Sequence, residues 1–277
     1  MRRGPKRKNL KPPGQCIFCP GTHMSKEHFW STWSNPMLPK FKVNAYVEEH
    51  LSHTRKTVLV KREIRTRPGS ASSKKLRVVC EDCNNGWMNQ VEDLARPILE
   101  PLIAGHSTVL SHHQQRILAE WITMKTMVVE HETPKDAVIP RADREAFKNK
   151  RTIPNYITIW TAKHSVPAWC TMLFRQTASL SSIPKPPPKI LAGGKNVETV
   201  AFGIGALFVY VMVSDPGVID LNELITIRLL ARLWPSAGSQ ILWGPIVLRG
   251  RNPDWVAHTL DRVIDRPRSL WMPLPKT

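Results

Sequence analysis

Two short stretches, CIFC at residues 16–19 and CEDCNNGWM at residues 80–88, contain four of the five cysteines of this 277-residue chain. Each places two cysteines three positions apart, a spacing at which both thiolates of one turn can bind the same metal ion. Two such turns facing each other form a tetrahedral four-thiolate site, which suits a structural Zn²⁺. The alternative is that the pairs are unrelated surface or core thiols, as the isolated Cys170 is expected to be. We predict that one zinc ion is bound by Cys16, Cys19, Cys80 and Cys83.

An acid-histidine pair lies between the two cysteine pairs, in the stretch SKEHFW at residues 25–30. Together with the NNGWM that follows the last cysteine, this arrangement resembles the HNH endonucleases, the His-Me finger or ββα-metal family. The similarity is to a bacterial and phage-associated branch and covers about residues 16–129, because PLIAG at 101–105 and WITMKTM at 121–127 also resemble that branch. The combination of motifs is specific, whereas each motif alone would be weak.

The resemblance implies a ββα module that cleaves phosphodiester bonds in DNA. It assigns the general base to His28, and a catalytic Mg²⁺ or Mn²⁺ to Glu27 and Asn84. The chemistry is consistent with these residue types, because a histidine can accept a proton from water at neutral pH and hard oxygen ligands suit these cations. Other interpretations stay open: Glu27 and His28 could be an exposed pair, and Asn84 could simply cap the helix. Asn85 is a second choice of ligand, and Asn89 and Glu92 are expected at the surface.

The chain departs from the family pattern at several positions. Asn84 stands where histidine is common, Lys75 where the central asparagine is expected, and Trp87 where a lysine is usual. The acid of the acid-histidine pair is glutamate rather than aspartate. These departures leave the predicted fold unchanged and favour an alternative function, a catalytically inactive, zinc-stabilised protein that binds nucleic acid.

Positive charge is clustered along the chain. There are 40 Lys and Arg against 22 Asp and Glu, a formal net charge of +18. Residues 1–11 contain six basic side chains and no acid, and residues 55–79 contain nine against Glu63 alone. Clusters of this kind indicate a polyanion partner, because cations that neutralise phosphates release condensed counterions. We predict a DNA-binding face, with RNA as the alternative partner and a solvated hairpin as the alternative interpretation, at Lys61, Arg62, Arg65, Arg67, Lys74, Lys75 and Arg77.

The predicted fold class is α+β, in three parts: a disordered basic tail at 1–14, the zinc-bound nuclease module at 15–104, and an α+β region of unknown role at 105–277. In the module we expect a strand at 57–65 to pair with one at 76–79, and a helix after Cys83 that ends before Pro97. Trp87, Val91 and Leu94 would form the apolar stripe of that helix.

In the third part we expect a helix capped by Ser111 and Gln114, strands at 156–161 and 169–174, and a hairpin bent at Gly205. A last helix would span about 253–264. No signal peptide and no membrane-length apolar run is visible, so we expect a cytoplasmic protein with no membrane partner. Cleavage of both DNA strands by a module with one site would favour a homodimer.

Overall fold

A computed structural model describes residues 14–38, 45–53, 59–68, 73–178, 195–214, 229–236 and 238–259, with the backbone alone at 45–53 and 59–68. The fold is α+β, as predicted. The strands are β1 Met24–His28, β2 Ala45–His53, β3 Leu59–Pro68, β4 Lys75–Cys80, β5 Thr108–Leu110, β6 Ile157–His164, β7 Leu173–Ala178, β8 Val197–Ile204, β9 Leu207–Ser214, β10 Ala231–Trp234, β11 Ile241–Trp243 and β12 Val247–Leu248. The helices are α1 Glu81–Cys83, α2 Asn89–Ile103, α3 His112–Val129, α4 Arg141–Lys150 and α5 Asn252–Ala257. The segment Asn84–Met88 joins α1 to α2 and is kinked at Gly86, whose φ and ψ of −92° and −108° are not helical.

An eight-stranded sheet forms the centre of the described structure. Its strand order is β10-β6-β9-β8-β7-β2-β3, and β12 pairs with β6 at the side of this path. β8 and β9 are buried along their whole length, because one face of these strands packs in one apolar cluster and the opposite face packs in a second. Residues of α2 and α3 belong to the cluster on one face, and residues of α5 belong to the cluster on the other.

The β8–β9 hairpin is confirmed. Ile204 pairs with Leu207, and Gly205 at the turn has a φ of 55°. This left-handed conformation favours glycine. Glycine is required for a second reason, because a Cβ at this position would lie 2.4 Å from the carbonyl oxygen of Ile103. The turn therefore packs directly on the C-terminal end of α2, where the Ala206 N–H donates to the same oxygen at 2.9 Å.

The predicted pairing of residues 57–65 with 76–79 is wrong. β3 pairs with β2, whereas β4 pairs with β1, which gives a separate two-stranded sheet. β2 and β3 are consecutive strands joined by only five residues, and strands that are close in sequence usually pair with each other. β4 ends at Cys80, and the cysteine cluster holds that end close to the Cys16–Cys19 turn that precedes β1.

The helix after Cys83 is longer than predicted. α2 continues through Pro97 and Pro101 to Ile103, and Leu94 is 58% exposed rather than part of the apolar stripe. Each internal proline removes one helical hydrogen bond. Burial of Ile98 and of the leucines that follow it favours continuation of the helix despite that loss.

The remaining expectations about elements have mixed outcomes. The capping box of α3 is confirmed, with reciprocal bonds between Ser111 and Gln114. Trp169 lies in a 3₁₀ helix, Pro167–Thr171, and not in the strand expected there. The last helix, α5, ends at Ala257, and the end predicted near residue 264 lies outside the described residues, as do residues 1–13.

Both sides of the predicted boundary near residue 104 contribute to one buried cluster. Phe29 packs edge-on against Phe202 with ring centroids 5.3 Å apart, and the Trp30 indole donates to the Gly203 carbonyl at 2.9 Å. α2 and α3, on either side of the boundary, also pack together. Among the described helices, none is long and apolar enough to cross a membrane.

Candidate functional site

Four cysteine thiols converge where the turn before β1 meets the end of β4 and the start of α1. The ligand atoms of Cys16, Cys19, Cys80 and Cys83 all lie within 4.8 Å of one another. The Cys19 sulfur is 3.5 Å from that of Cys80 and 3.6 Å from that of Cys83. A tetrahedral zinc with Zn–S bonds of about 2.3 Å needs sulfur atoms roughly 3.8 Å apart. The cluster is therefore close to the spacing that zinc requires.

The backbone around this cluster is arranged to favour thiolates. Amide N–H groups of Phe18 and Gly21 donate to the sulfur atoms of Cys16 and Cys19, each at 3.4 Å. Burial tends to raise the pKa of Cys19, but the Gly21 N–H and the neighbouring thiols outweigh it, so this pKa is lowered. Burial dominates at Cys16 and Cys83 and raises the pKa of both thiols. A cation bound to all four sulfurs would offset that effect, because metal binding favours the deprotonated thiol.

Gly21 lies directly against two of the four sulfur atoms. A Cβ at this position would lie 3.0 Å from the Cys80 sulfur and 3.3 Å from the Cys19 sulfur. The four cysteines could therefore bind a zinc ion inside a closed shell of thiolates. Within the described ranges, no other group of three or more Cys, His, Asp or Glu side chains is close enough to hold a metal.

Glu27 and His28 lie at the end of β1 and have different surroundings. Glu27 is 8% exposed and faces the interior, where its Oε1 accepts a bond from the Lys125 ammonium at 2.6 Å. His28 lies opposite the exposed Lys75 of β4. Its Nδ1 is buried and has no hydrogen-bond partner among the described residues. Burial, followed by the charge of Lys75, lowers the pKa of His28, and Glu27 only partly opposes this. The imidazole is therefore neutral at pH 7.

Asn84 joins the helix start to β1. Its Nδ2 donates to the Ser25 hydroxyl at 2.9 Å, and its backbone N–H donates to the Glu81 carbonyl at the end of α1. The N-cap positions of α1 and of the segment Asn84–Met88 are Cys80 and Cys83, so Asn84 is not an N-cap. Asn84 therefore contacts the strand that contains Glu27, but the hydrogen bonds of these two side chains go to different partners. Asn85 is exposed, and Asn89 is exposed and bonds to Asp93.

A buried charge cluster lies directly behind β1. The Lys125 ammonium, fully buried on α3, is 2.6 Å from Glu27 Oε1, 2.6 Å from Glu92 Oε1 and 2.9 Å from the His28 carbonyl oxygen. The indole N–H groups of Trp33 and Trp121 also donate to Glu92, at 3.1 and 3.3 Å. The expectation that Glu92 is a surface residue is wrong, since its side chain is 14% exposed.

The contacts between Glu92 and Lys125 shift the pKa of both side chains. Burial acts to raise the pKa of Glu92, but the charge and hydrogen bond of Lys125 outweigh burial and lower it. Burial acts to lower the pKa of Lys125, but its two carboxylate partners raise it above the ordinary value. The Glu92 carboxylate and the Lys125 ammonium therefore stabilise each other's charged forms, at an N–O distance of 2.6 Å. Sequence reasoning missed Lys125, although a lone lysine inside the apolar run at 121–129 is itself a signal that a buried partner is needed.

The predicted nucleic-acid-binding residues have different environments. Lys61, Arg62, Arg65 and Arg67 lie on β3, where the side chains are outside the described part of the structure. Lys74 is 6% exposed and forms an ion pair of 2.6 Å with Glu132. Lys75 and Arg77 are exposed on β4, two residues apart and so on the same face, and Lys26 is exposed on β1. We refer to these last three residues as the basic strip.

Comparison of the chain with protein-family models, with curated proteins and with solved structures finds no match. The chemistry of the site is therefore inferred from its own residues.

Proposed function

We propose that this protein is a metal-dependent endonuclease of the HNH type, in which a zinc-bound ββα module hydrolyses phosphodiester bonds in DNA. The observation that carries the proposal is the position of His28. It is a neutral imidazole at the end of β1, next to Glu27 and opposite the exposed Lys75. The Asn84 side chain, from the helix start, reaches the same strand through Ser25.

Each residue of the site would have a separate role in the reaction. His28 would accept the proton of the attacking water at Nε2, because Nδ1 is buried. Glu27 has one carboxylate oxygen bonded to Lys125, and its other oxygen and the Asn84 amide oxygen are hard ligands suited to Mg²⁺ or Mn²⁺. When bound, such an ion would supply neutralisation of the charge that develops at the phosphate. The basic strip would hold the phosphate backbone beside His28.

The zinc site would have a structural role in this proposal. All four of its ligands are cysteines, so no coordination position is open to water or substrate. The ion would join the turn before β1, the end of β4 and the start of the helix. Those are the segments next to Glu27, His28 and Asn84, so loss of zinc is expected to disrupt the catalytic residues together.

A supercoiled plasmid tests this function. The zinc-loaded protein is expected to convert the plasmid to nicked or linear DNA when Mg²⁺ or Mn²⁺ is added. The variant His28→Ala should lose this activity while it keeps its zinc, its melting curve and its DNA affinity. The change is expected to lower the rate by about 10²–10⁴-fold, the usual contribution of a general base. Cleavage by the variant at the wild-type rate would refute the assignment of His28.

A second candidate function is nucleic-acid binding without catalysis. It is favoured by the hydrogen bonds of the two proposed metal ligands, because Glu27 is bonded to Lys125 and Asn84 to Ser25. This function predicts DNA retention in a gel-shift assay with no cleavage under any divalent cation. The plasmid assay therefore separates the two candidates directly.

A further inference from the structure

The Lys125 ammonium has as many acceptors as it has protons. Two of its three acceptors, the Glu27 carboxylate and the His28 backbone carbonyl, belong to consecutive residues at the end of β1. The third acceptor is Glu92 on α2. A single side chain on α3 thus binds both residues that the proposed reaction requires from β1, and it contacts them from the interior side.

Stability alone is a poor explanation for a lysine at this position. The side chain is fully buried on α3, where the neighbouring residues Met124 and Met127 are apolar and equally buried. Moving an ammonium out of water is costly, and a well-packed apolar residue is often at least as stabilising as a buried ion pair. An apolar residue at this position could not orient the Glu27 carboxylate oxygen or the His28 carbonyl oxygen, because it donates no hydrogen bond. The ammonium donates to both oxygens and so orients them.

Glu92, the third acceptor of the Lys125 ammonium, has further hydrogen bonds of its own. Glu92 is bonded to Lys125 and also to the indole N–H groups of Trp33 and Trp121. Both carboxylate oxygens of Glu92 are thus used, Oε1 by Lys125 and Trp121, and Oε2 by Trp33. The ammonium is therefore anchored on α2 and α3, and the end of β1 is positioned against that anchor.

We propose that Lys125 is a positioning residue of the nuclease site, which holds one oxygen of Glu27 and the backbone of His28 so that the second Glu27 oxygen and the imidazole are presented to metal and water. This inference rests on the proposed function and deepens it. It assigns a role in the site to a helix that lies outside the ββα module, and to Glu92 as the anchor of the lysine.

Two variants and one control test this role. Lys125→Met removes the ammonium but leaves two carboxylates without a cation, so the variant can fail to fold for that reason. The double variant Lys125→Met/Glu92→Gln keeps the net charge of the cluster at the wild-type value and still removes the bond to Glu27. Lys163→Met is the matched control, because the Lys163 ammonium also donates to a backbone carbonyl, that of Gly105 at 2.6 Å, which lies outside the site.

The zinc-loaded proteins are compared by plasmid cleavage as a function of Mn²⁺ concentration. The double variant is expected to need about 10- to 100-fold more Mn²⁺, or to cleave that much more slowly at saturation, as when a residue that orients a metal ligand is removed. The control should match the wild type. A folded, zinc-loaded double variant with the wild-type Mn²⁺ dependence and rate would overturn the inference.

A second measurement separates this inference from the proposed function. The carbon resonances of the Glu27 carboxyl group and the His28 carbonyl group report the two hydrogen bonds at a single pH, whether or not the protein cleaves DNA. They should move in the double variant and stay in place in Lys163→Met. If the wild type cleaves nothing, the proposed function fails, and unmoved resonances would show separately that Lys125 does not orient β1.

Discussion

Burial determines the protonation state of some side chains of this protein as much as neighbouring charges do. His164 illustrates this, because its side chain is 2% exposed and its Nδ1 accepts a bond from the Val166 N–H. An imidazole that accepts a hydrogen bond at Nδ1 must be unprotonated there. The fold therefore holds a neutral histidine in its interior.

This environment predicts a contribution to stability that depends on pH. Burial lowers the pKa of His164 to about 4, whereas a histidine in the unfolded chain has a pKa of about 6.5. Between these values the unfolded state binds a proton that the folded state does not, so the free energy of unfolding falls as the pH falls. Over that interval one such group contributes about 2–3 kcal/mol. Urea denaturation at several pH values should show a smaller loss of stability for His164→Gln than for the wild type.

Two comparisons make the measurement specific. The variant His113→Gln is the control, because it removes an exposed imidazole of α3 and leaves His164 in place. His131, whose pKa is lowered to about 3 mainly by burial, remains in every protein and contributes equally to each. An identical pH dependence in His164→Gln and the wild type would contradict the assignment.

At the scale of elements, the cysteine cluster should determine whether β1, β4 and the helix start stay together. Cys80→Ser is expected to reduce zinc to well below one ion per chain and to lower the melting temperature, because structural zinc contributes folding free energy directly. Metal analysis and thermal melting measure both effects. Cys170→Ser is the control, because Cys170 is outside the cluster. A Cys80→Ser protein with full zinc content and an unchanged melting curve would count against the site.

The basic strip allows a quantitative prediction about binding. Replacing Lys75 and Arg77 together by glutamine should weaken DNA binding and reduce the slope of log affinity against log salt by roughly two, about one for each phosphate that is no longer neutralised. Fluorescence anisotropy at several salt concentrations measures the slope. Exchange of the exposed Lys135 and Lys150 for glutamine removes the same charge elsewhere, and should leave the slope at the wild-type value.

The elements also show how far sequence reasoning extends. Local signals were sufficient for the capping box at Ser111 and for the turn at Gly205, because each depends on a few adjacent residues. The pairing of β3 could not be predicted, because residues 45–53 have no clear strand pattern and the next apolar segment, at 76–79, is an equally short-range partner. The Cys cluster could be predicted because two motifs identify all four ligands, whereas Lys125 meets Glu27 across 98 positions and its interactions appear only in three dimensions.

At the scale of the whole molecule, the larger apolar cluster of the described structure crosses the predicted boundary near residue 104. Phe29 and Trp30 pack on β8, and Glu27 and Glu92 depend on Lys125 of α3. A fragment of residues 15–104 would have neither β8 nor Lys125 to pack against. Removal of one partner of a buried ion pair alone costs about 3–5 kcal/mol.

We therefore expect this fragment to bind zinc without a cooperative thermal transition. The full chain with zinc should melt in one cooperative step, since one apolar cluster of the described residues contains side chains from both sides of residue 104. Calorimetry and near-ultraviolet circular dichroism distinguish the two behaviours. A sharp, cooperative transition of the zinc-loaded fragment would instead establish residues 15–104 as an autonomous unit.

The close packing of Gly205 on Ile103 has a consequence for distant parts of the chain. α2 is a rod about 22 Å long, with the thiol cluster near one end and the β8–β9 turn pressed against the other. A methyl group added at Gly205 would collide with the last turn of this rod and force it to shift or tilt. We expect such a shift to reach the kinked segment Asn84–Met88 through α2. A substitution in the hairpin should then lower the temperature at which the four cysteines release a bound zinc ion, although Gly205 lies at the opposite end of α2.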